Sequence, residues 1–234
     1  MTDRPTLALL PGLLCDAALW QSQVAALAGL ADCRVAELTA EETVAGMARS
    51  VLALMPDRFA LAGLSMGGYV ALEILRQAPE RVTKLALLNT RATPDSAEET
   101  ARRRDLVALA ERGQFKGVTP RLLPLFLHEA HLADAAIVGT VRAMAERVGK
   151  DAFIRQQKAI MARPDSRPTL AAIRCPTLVL CGREDVLTPV EGHRAMAAGI
   201  RDARLEVIDD CGHLSPLEQP ERVNVALVGW LEAT

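Results

Sequence analysis

The run FALAGLSMGGYVALEI, residues 59 to 74, constrains the fold of this chain more than any other stretch. An apolar segment typical of a buried strand leads into Gly63-Leu64-Ser65-Met66-Gly67, and an apolar segment typical of a helix follows it. In such a tight strand-to-helix turn, any side chain larger than hydrogen would clash two residues before and two after the serine. The pattern therefore predicts a sharp turn that exposes the Ser65 hydroxyl above a sheet, as a nucleophile requires.

Short apolar runs recur along the chain, and helical patterns fill several of the gaps between them. Most of the runs lack a period of two, which indicates strands buried on both faces, as in a parallel sheet. This alternation predicts an α/β fold with a doubly wound, mainly parallel sheet of about six strands. The expected strands are Thr6–Leu10, Arg34–Leu38, Phe59–Leu64, Leu85–Asn89, Thr177–Cys181 and Leu205–Ile208, and the expected helices are Val44–Leu54, Gly67–Gln77, Val190–Ala198 and Pro220–Leu231.

One interval interrupts the alternation of strands and helices. Residues 91–168 contain helix-like stretches and no convincing strand, which predicts a helical cap inserted after the fourth strand, with residues 1–90 and 169–234 forming the core. The interval carries fourteen Lys or Arg and ten Asp or Glu, so it is positive although the whole chain has a net charge of −2. The expected helices of the cap are Glu98–Arg112, Asp134–Val148 and Asp151–Arg163.

Composition excludes several classes of function. A chain of 234 residues, half of them apolar, is long enough for one domain with a large core. A net charge of −2 does not favour binding to nucleic acid or to an anionic membrane surface. The five cysteines contain no C-x-x-C pair, so we expect neither disulfides nor structural zinc, and a cytoplasmic location. The sequence does not indicate an oligomeric state.

The apolar run TLALLPGLL before Cys15 invites two membrane interpretations. It is too short to span a bilayer and is interrupted by Pro11 and Gly12. A lipoprotein signal is not expected either, because the leader lacks a basic region and Leu14, not a small residue, precedes the cysteine. We therefore expect no membrane partner.

A serine hydroxyl is a weak nucleophile near neutral pH and needs a base, and the chain offers four histidines. His213 follows an expected strand and precedes the last helix, which places it on a loop at the carboxyl end of the sheet. His193 lies within a helical pattern beside Arg194 and is expected on a solvated face. His128 and His131 lie in the cap and lack a third metal ligand, so we predict no metal site, and no motif suggests a cofactor. His213 is the predicted base.

The base in turn needs an acid that orients it. Asp185 follows the expected strand Thr177–Cys181, and a carboxylate from a neighbouring strand end can approach the imidazole directly. Glu184 is its neighbour and a competitor, and Asp209 and Asp210 remain alternatives close to His213 in sequence. Asp185 is the predicted acid.

A tetrahedral intermediate needs two N–H donors aimed at its oxyanion. Met66, at the start of the helix after the serine, can supply one. The other is expected from the loop after the first strand, where Gly12 lets the backbone approach the site; Leu13 is the predicted donor and Leu14 the alternative. Cys15 and Cys211 lie near these loops and are expected to be packing residues, not nucleophiles.

The order Ser65, Asp185, His213 on these strand ends resembles the α/β-hydrolase superfamily over nearly the whole chain. The segments GLSMGG, CGREDVLTP and CGHLSPLEQPE look like its sequence signatures. The chain is most similar to small cytoplasmic members: carboxylesterases, enol-lactonases and the menaquinone-pathway synthase. Two departures are the Pro11-Gly12 pair, where many members have His-Gly, and a first strand that corresponds to the one usually third.

The resemblance implies a serine hydrolase that cleaves a small carboxylic ester or lactone by acyl transfer. An alternative is lyase chemistry or carbon–carbon bond hydrolysis by the same triad, and an alternative of another class is a non-catalytic ligand receptor. The positive cap suggests a substrate carboxylate as a further hypothesis; solvated helix faces would explain the same charges. The candidate residues for the carboxylate are Arg102, Arg103, Arg104, Arg121 and Arg155, and Leu14 is a further candidate for substrate binding.

Overall fold

A computed structural model describes residues 4–233 of the chain. A single sheet of six parallel strands forms its centre, in the order β2-β1-β3-β4-β5-β6. This confirms the predicted α/β fold and its mainly parallel sheet. The strands are β1 (Thr6–Leu10), β2 (Asp32–Val35), β3 (Phe59–Leu64), β4 (Val82–Leu88), β5 (Thr177–Gly182) and β6 (Arg204–Ile208).

Helices cover both faces of the sheet, which explains why most positions of its central strands are apolar. Successive residues of β1 enter two different cores: Leu7 and Leu9 pack on one side, and Ala8 and Leu10 pack on the other. The helices α1 (Gln21–Leu27) and α10 (Pro220–Glu232) contribute to the first core, and α2 (Val44–Leu54), α3 (Met66–Gln77) and α8 (Val190–Gly199) contribute to the second.

Some element bounds differ from the sequence pattern. β2 is expected over Arg34–Leu38 but covers Asp32–Val35, because the chain leaves the sheet after Ala36, whose N–H donates to the Leu9 carbonyl at 3.0 Å. Leu38 is buried instead beneath a later helix, where its carbonyl accepts a hydrogen bond from Gln156 at 3.0 Å. The predicted β2 therefore extends too far along the chain, because Leu38 is apolar and buried although it lies outside the strand.

Residues 91–168, which we call the helical segment, contain helices and no strand in the structure as described. The two helices expected over Asp134–Val148 and Asp151–Arg163 are both present: α6 covers them, and Gly149, whose backbone is not helical (φ 75°, ψ 175°), divides it between them. The division into a separate cap and core stays a prediction. The helices from this region onward are α4 (Ala97–Leu109), followed by a π-helical turn (Ala110–Gln114), α5 (Leu123–Phe126), α6 (Ala135–Met161), α7 (Arg167–Leu170) and, beyond β6, α9 (Ser215–Glu218). Within residues 4–233, no helix has both the length and the hydropathy needed to cross a bilayer.

Candidate active site

Ser65 occupies a strained turn between β3 and α3. Its backbone has φ 52° and ψ −113°, which is rare for a residue with a side chain. A methyl group on Gly67 would lie 2.2 Å from the Leu10 carbonyl oxygen, and one on Gly63 would lie 2.4 Å from the Gly67 carbonyl oxygen. Glycine is therefore required at both positions by close backbone approach, as the sequence pattern predicts.

His213 and Asp185 meet at the carboxyl ends of β5 and β6. The His213 Nδ1 and Asp185 Oδ2 atoms are 2.8 Å apart, and both side chains are buried. The other carboxylate oxygen, Oδ1, accepts from the backbone N–H groups of Leu187 at 2.9 Å and Thr188 at 3.0 Å. Asp185 thus holds the imidazole with its proton on Nδ1, which leaves Nε2 as the basic nitrogen.

The charge on Asp185 is well stabilised. Burial raises its pKa, but the neighbouring His213 and hydrogen bonds from His213, Thr188 and Asn89 outweigh burial and hold the pKa well below 3.8. Asp185 therefore stays ionised throughout the neutral range.

The competing acids are engaged elsewhere. Asp209 pairs with the Arg183 guanidinium, Glu184 accepts the Cys211 N–H at 3.0 Å, and Asp210 is exposed. Asp185 is accordingly the acid that contacts His213.

Ser65 and His213 line the same cavity. The structure of residues 4–233 has no hydrogen bond between the Ser65 hydroxyl and the His213 imidazole. Hydrogen bonds of this kind are often long without substrate and shorten in the substrate complex, so the arrangement is compatible with proton transfer from Ser65 to His213.

Two backbone N–H groups remain available beside Ser65. Across the described chain, neither Leu13 nor Met66 donates its N–H to a protein acceptor. The alternative donor, Leu14, is already engaged, because its N–H donates to Gln156 Oε1 at 3.1 Å. The geometry therefore favours Leu13 and Met66 over Leu14 as oxyanion donors.

Asn89, at the carboxyl end of β4, was not recognised as a site residue from the sequence. It is fully buried, and its Nδ2 donates to Asp185 Oδ2 at 2.9 Å and to the Gly212 carbonyl at 3.0 Å. Its Oδ1 accepts from the Ser215 hydroxyl at 2.6 Å. The available signal was a polar side chain directly after a buried strand; its partners lie about a hundred residues away in sequence.

The next residue, Thr90, connects β4 to the turn that carries Ser65. Its hydroxyl donates to the Ser65 carbonyl at 2.8 Å, and its N–H donates to His193 Nε2 at 3.0 Å. The expectation that His193 lies on a solvated face is wrong: its side chain is fully buried, and burial lowers its pKa. His193 is thus a neutral acceptor that supports the strand end carrying Asn89.

Asn89→Ala should lower kcat by about 10- to 100-fold, because a hydrogen bond to a charged group is lost and Asp185 is less firmly held. The measurement is kcat on any ester that the wild type turns over. Asn224→Ala is the matched control, since Asn224 bonds Ser22 and Gln23 away from the site. A wild-type kcat in the Asn89→Ala variant would show that Asn89 does not contribute to catalysis.

The cysteines near the site are poor nucleophiles. Cys15 lines the cavity, but burial and the nearby Asp16 charge raise its pKa to about 12, so it is a thiol at neutral pH. Burial also raises the pKa of Cys211. Both side chains are buried, in agreement with the prediction that they are packing residues.

The structure brings only one of the five candidate arginines, Arg103, to the cavity. Arg102, Arg104 and Arg121 are exposed at the surface of the helical segment. Arg155 donates to the Thr39 carbonyl at 2.8 Å. A helical pattern does not show which side of a helix faces a cavity, and this is why the five were not distinguished.

The cavity itself has a volume of about 380 Å³ and lies between the strand ends and the helical segment. Such a volume suits a small molecule. Most of the lining is aliphatic or aromatic, from Leu13, Leu14, Leu64, Leu106, Leu109, Phe115, Val118, Leu122, Leu125, Phe126, Val141, Met144, Phe153, Ile160, Leu187 and Leu214.

The chain is similar to known proteins in sequence and in fold. The model of the alpha/beta hydrolase family matches residues 7–226. A protein of Serratia proteamaculans (strain 568) named for carbamate hydrolysis, RutD, is 31% identical over 257 residues, covering 98% of this chain and 92% of that protein. A thermophilic esterase from Thermogutta terrifontis superposes with a TM-score of 0.88 at 31% identity, covering 98% of this chain and 90% of the esterase.

An enol-lactonase from Burkholderia xenovorans LB400 superposes with a TM-score of 0.89 at 24% identity, covering 99% of this chain and 92% of the lactonase. At that identity the likeness concerns the fold alone. The family match covers nearly the whole chain and agrees with the resemblance of its motifs. The chain belongs to the alpha/beta hydrolase family.

Proposed function

We propose that this protein hydrolyses a small carboxylic ester or lactone by acyl transfer, with Ser65 as nucleophile, His213 as base and Asp185 as the orienting acid. The observation that carries the proposal is the 2.8 Å bond between His213 and Asp185 at a cavity that the strained Ser65 turn also lines. Membership of the family and likeness to an esterase at 31% identity support it.

In the proposed reaction, the Ser65 Oγ adds to the substrate carbonyl while His213 Nε2 takes its proton. The Leu13 and Met66 N–H groups stabilise the oxyanion, and Asp185 stabilises the imidazolium. His213 then protonates the leaving alcohol as the carbon–oxygen bond breaks. Water, activated by the same base, releases the acid and restores Ser65.

The cavity lining indicates the kind of substrate. With aliphatic and aromatic groups on most of its walls, the site favours an acyl or alcohol part with an apolar body. We also propose a cytoplasmic location, which agrees with free thiols on all five cysteines.

A fluorophosphonate probe tests the proposal directly. The wild type should become labelled on Ser65, and Ser65→Ala should not. Ser50→Ala is the matched control, because Ser50 is an exposed serine on α2, and it should label normally. Absence of labelling in the wild type would instead favour the non-catalytic receptor.

Cleavage of a carbon–carbon bond, or elimination, by the same triad is the second candidate. It is favoured by the Arg103 guanidinium at the cavity, which suits a substrate with a carboxylate. Mass spectrometry of the enzyme during turnover separates the two: hydrolysis through Ser65 predicts an acylated serine, whereas base-assisted elimination does not.

A further inference from the structure

One wall of the cavity is polar and differs from the rest of the lining. Arg91 and Arg103 reach it with Glu99 and Tyr69, and we call these four residues the basic wall. The side chains of the two arginines are about one-fifth exposed, at 19% and 21%. Asp95 lies behind them and is almost completely buried.

Three guanidinium groups converge on Asp95. Its Oδ1 receives Arg91 Nη2 at 2.7 Å and Arg163 Nη2 at 2.8 Å, and its Oδ2 receives Arg103 Nε at 2.6 Å. The second carboxylate of the group, Glu99, receives Arg91 Nη1 at 2.8 Å. Three cations against two anions leave one positive charge uncompensated at this wall.

The basic wall also has donors without acceptors. Arg103 uses Nε for Asp95 and Nη1 for Gln157 Oε1 at 2.8 Å, so within residues 4–233 its Nη2 donates to no protein atom. Arg91 Nε is buried and has no partner in that same part of the chain. The Arg163 guanidinium lies over the Tyr69 ring, 4.2 Å from the ring centroid. The Tyr69 hydroxyl makes no hydrogen bond to any of the described residues.

Other charges near the cavity do not balance the wall. Lys116 also lines the cavity but is exposed, where water screens it, and it adds positive charge. Asp185 is bound to His213, at the catalytic end of the cavity. An uncompensated charge in a largely apolar cavity is unfavourable unless a counter-charge joins it.

We propose that the basic wall binds a single carboxylate of the substrate, so that the natural ester or lactone carries one free carboxylate. This inference rests on the proposed function, which assigns the reaction to the Ser65 end of the cavity. Guanidinium groups match the planar carboxylate, and a net charge of one favours a monoanion. Of the arginines predicted from sequence for this task, only Arg103 takes part, and Arg91 and Tyr69 are added.

Binding to a Ser65→Ala protein tests the inference without any need for turnover. The probes are the monomethyl esters of the C4 to C8 dicarboxylic acids, each compared with its dimethyl ester by titration calorimetry at low salt. At the best chain length we expect the monoanion to bind about tenfold more tightly or better, as for charge-assisted hydrogen bonds. Equal affinity at every length, or no binding of either series, would overturn the inference.

Three variants made in the Ser65→Ala protein locate the effect. Arg103→Gln should abolish the preference for the monoanion, and Tyr69→Phe, which removes only a hydroxyl, should weaken it a few-fold. Arg102→Gln is the control, because Arg102 is an exposed neighbour paired with Glu98 at 3.5 Å, and it should keep the full preference. Should Arg103→Gln fail to fold, an unchanged preference for the monoanion in Tyr69→Phe would contradict carboxylate binding by the basic wall.

The inference and the proposed function fail separately. If the wild type hydrolyses the dimethyl esters through Ser65 but shows no preference for the monoesters, the proposed function stands and the carboxylate site is refuted. If the monoesters bind more tightly but neither series is turned over and Ser65 is not labelled, the carboxylate site stands and the proposed function is refuted.

Discussion

Ser65→Ala should lower kcat on the best ester of a short-chain panel by at least about 10⁴-fold. In the proposed mechanism the serine supplies the atom that forms the bond, and alanine at position 65 offers no substitute. His213→Ala should cause a loss of the same order, since in that mechanism the two residues act as a unit. The double variant should then be scarcely slower than either single one. Steady-state kinetics on purified proteins measures all three.

The control for this experiment is Ser50→Ala, which removes an exposed hydroxyl from α2 and should leave kcat unchanged. Alanine is close to serine in size, so we expect the Ser65→Ala variant to fold although the turn at position 65 is strained. Circular dichroism checks that it does. Turnover by Ser65→Ala at the wild-type rate would refute the assignment of the nucleophile.

Asp95→Asn should reduce the free energy of unfolding by about 3 kcal/mol, which is the low end for removing one partner from a buried ion pair. The Asp95 side chain is only 1% exposed, and three guanidinium groups depend on it. Asparagine keeps the shape but not the charge. Urea unfolding measures the loss, with Asp105→Asn, at an exposed position of α4, as the control. Equal stability of Asp95→Asn and the wild type would show that Asp95 does not hold the segment in place.

The same variant has a defined pH dependence. Burial raises the pKa of Asp95, but hydrogen bonds and charges from Arg163 and Arg103 outweigh burial and hold it below 3.8. A pKa that is lower in the folded state contributes stability above the unfolded value, and that contribution is lost as the pH falls. The stability difference between wild type and Asp95→Asn should therefore be constant near neutrality and shrink below about pH 4. A difference that grows on acidification would contradict this.

The sequence pattern predicts the bounds of an element correctly where interactions between near neighbours in the chain determine them. The bounds of β1, β3 and α2 agree with the sequence pattern, because those runs are apolar and punctuated by turn residues. β2 was misplaced because Leu38 is buried by α6, not by the sheet. α1 was not predicted, since its short run carries little helical signal of its own.

The candidate site divides in a similar way. Loops at strand ends were sufficient to nominate Ser65, Asp185 and His213, since parallel strands bring their carboxyl ends to one edge. Asn89 and His193 were missed or misjudged because their roles depend on partners about a hundred residues distant. The five candidate arginines could not be distinguished because a helical pattern does not show which side of a helix faces the cavity.

The amino-acid sequence by itself determined the parallel sheet and the glycine-flanked turn at Ser65, because apolar continuity and steric exclusion act between near neighbours in the chain. Only the tertiary structure decided which charges face the cavity. The contacts of Arg163 with Asp95, of Asn89 with Asp185 and of His193 with Thr90 join segments that meet only after folding. No spacing along the chain specifies those contacts.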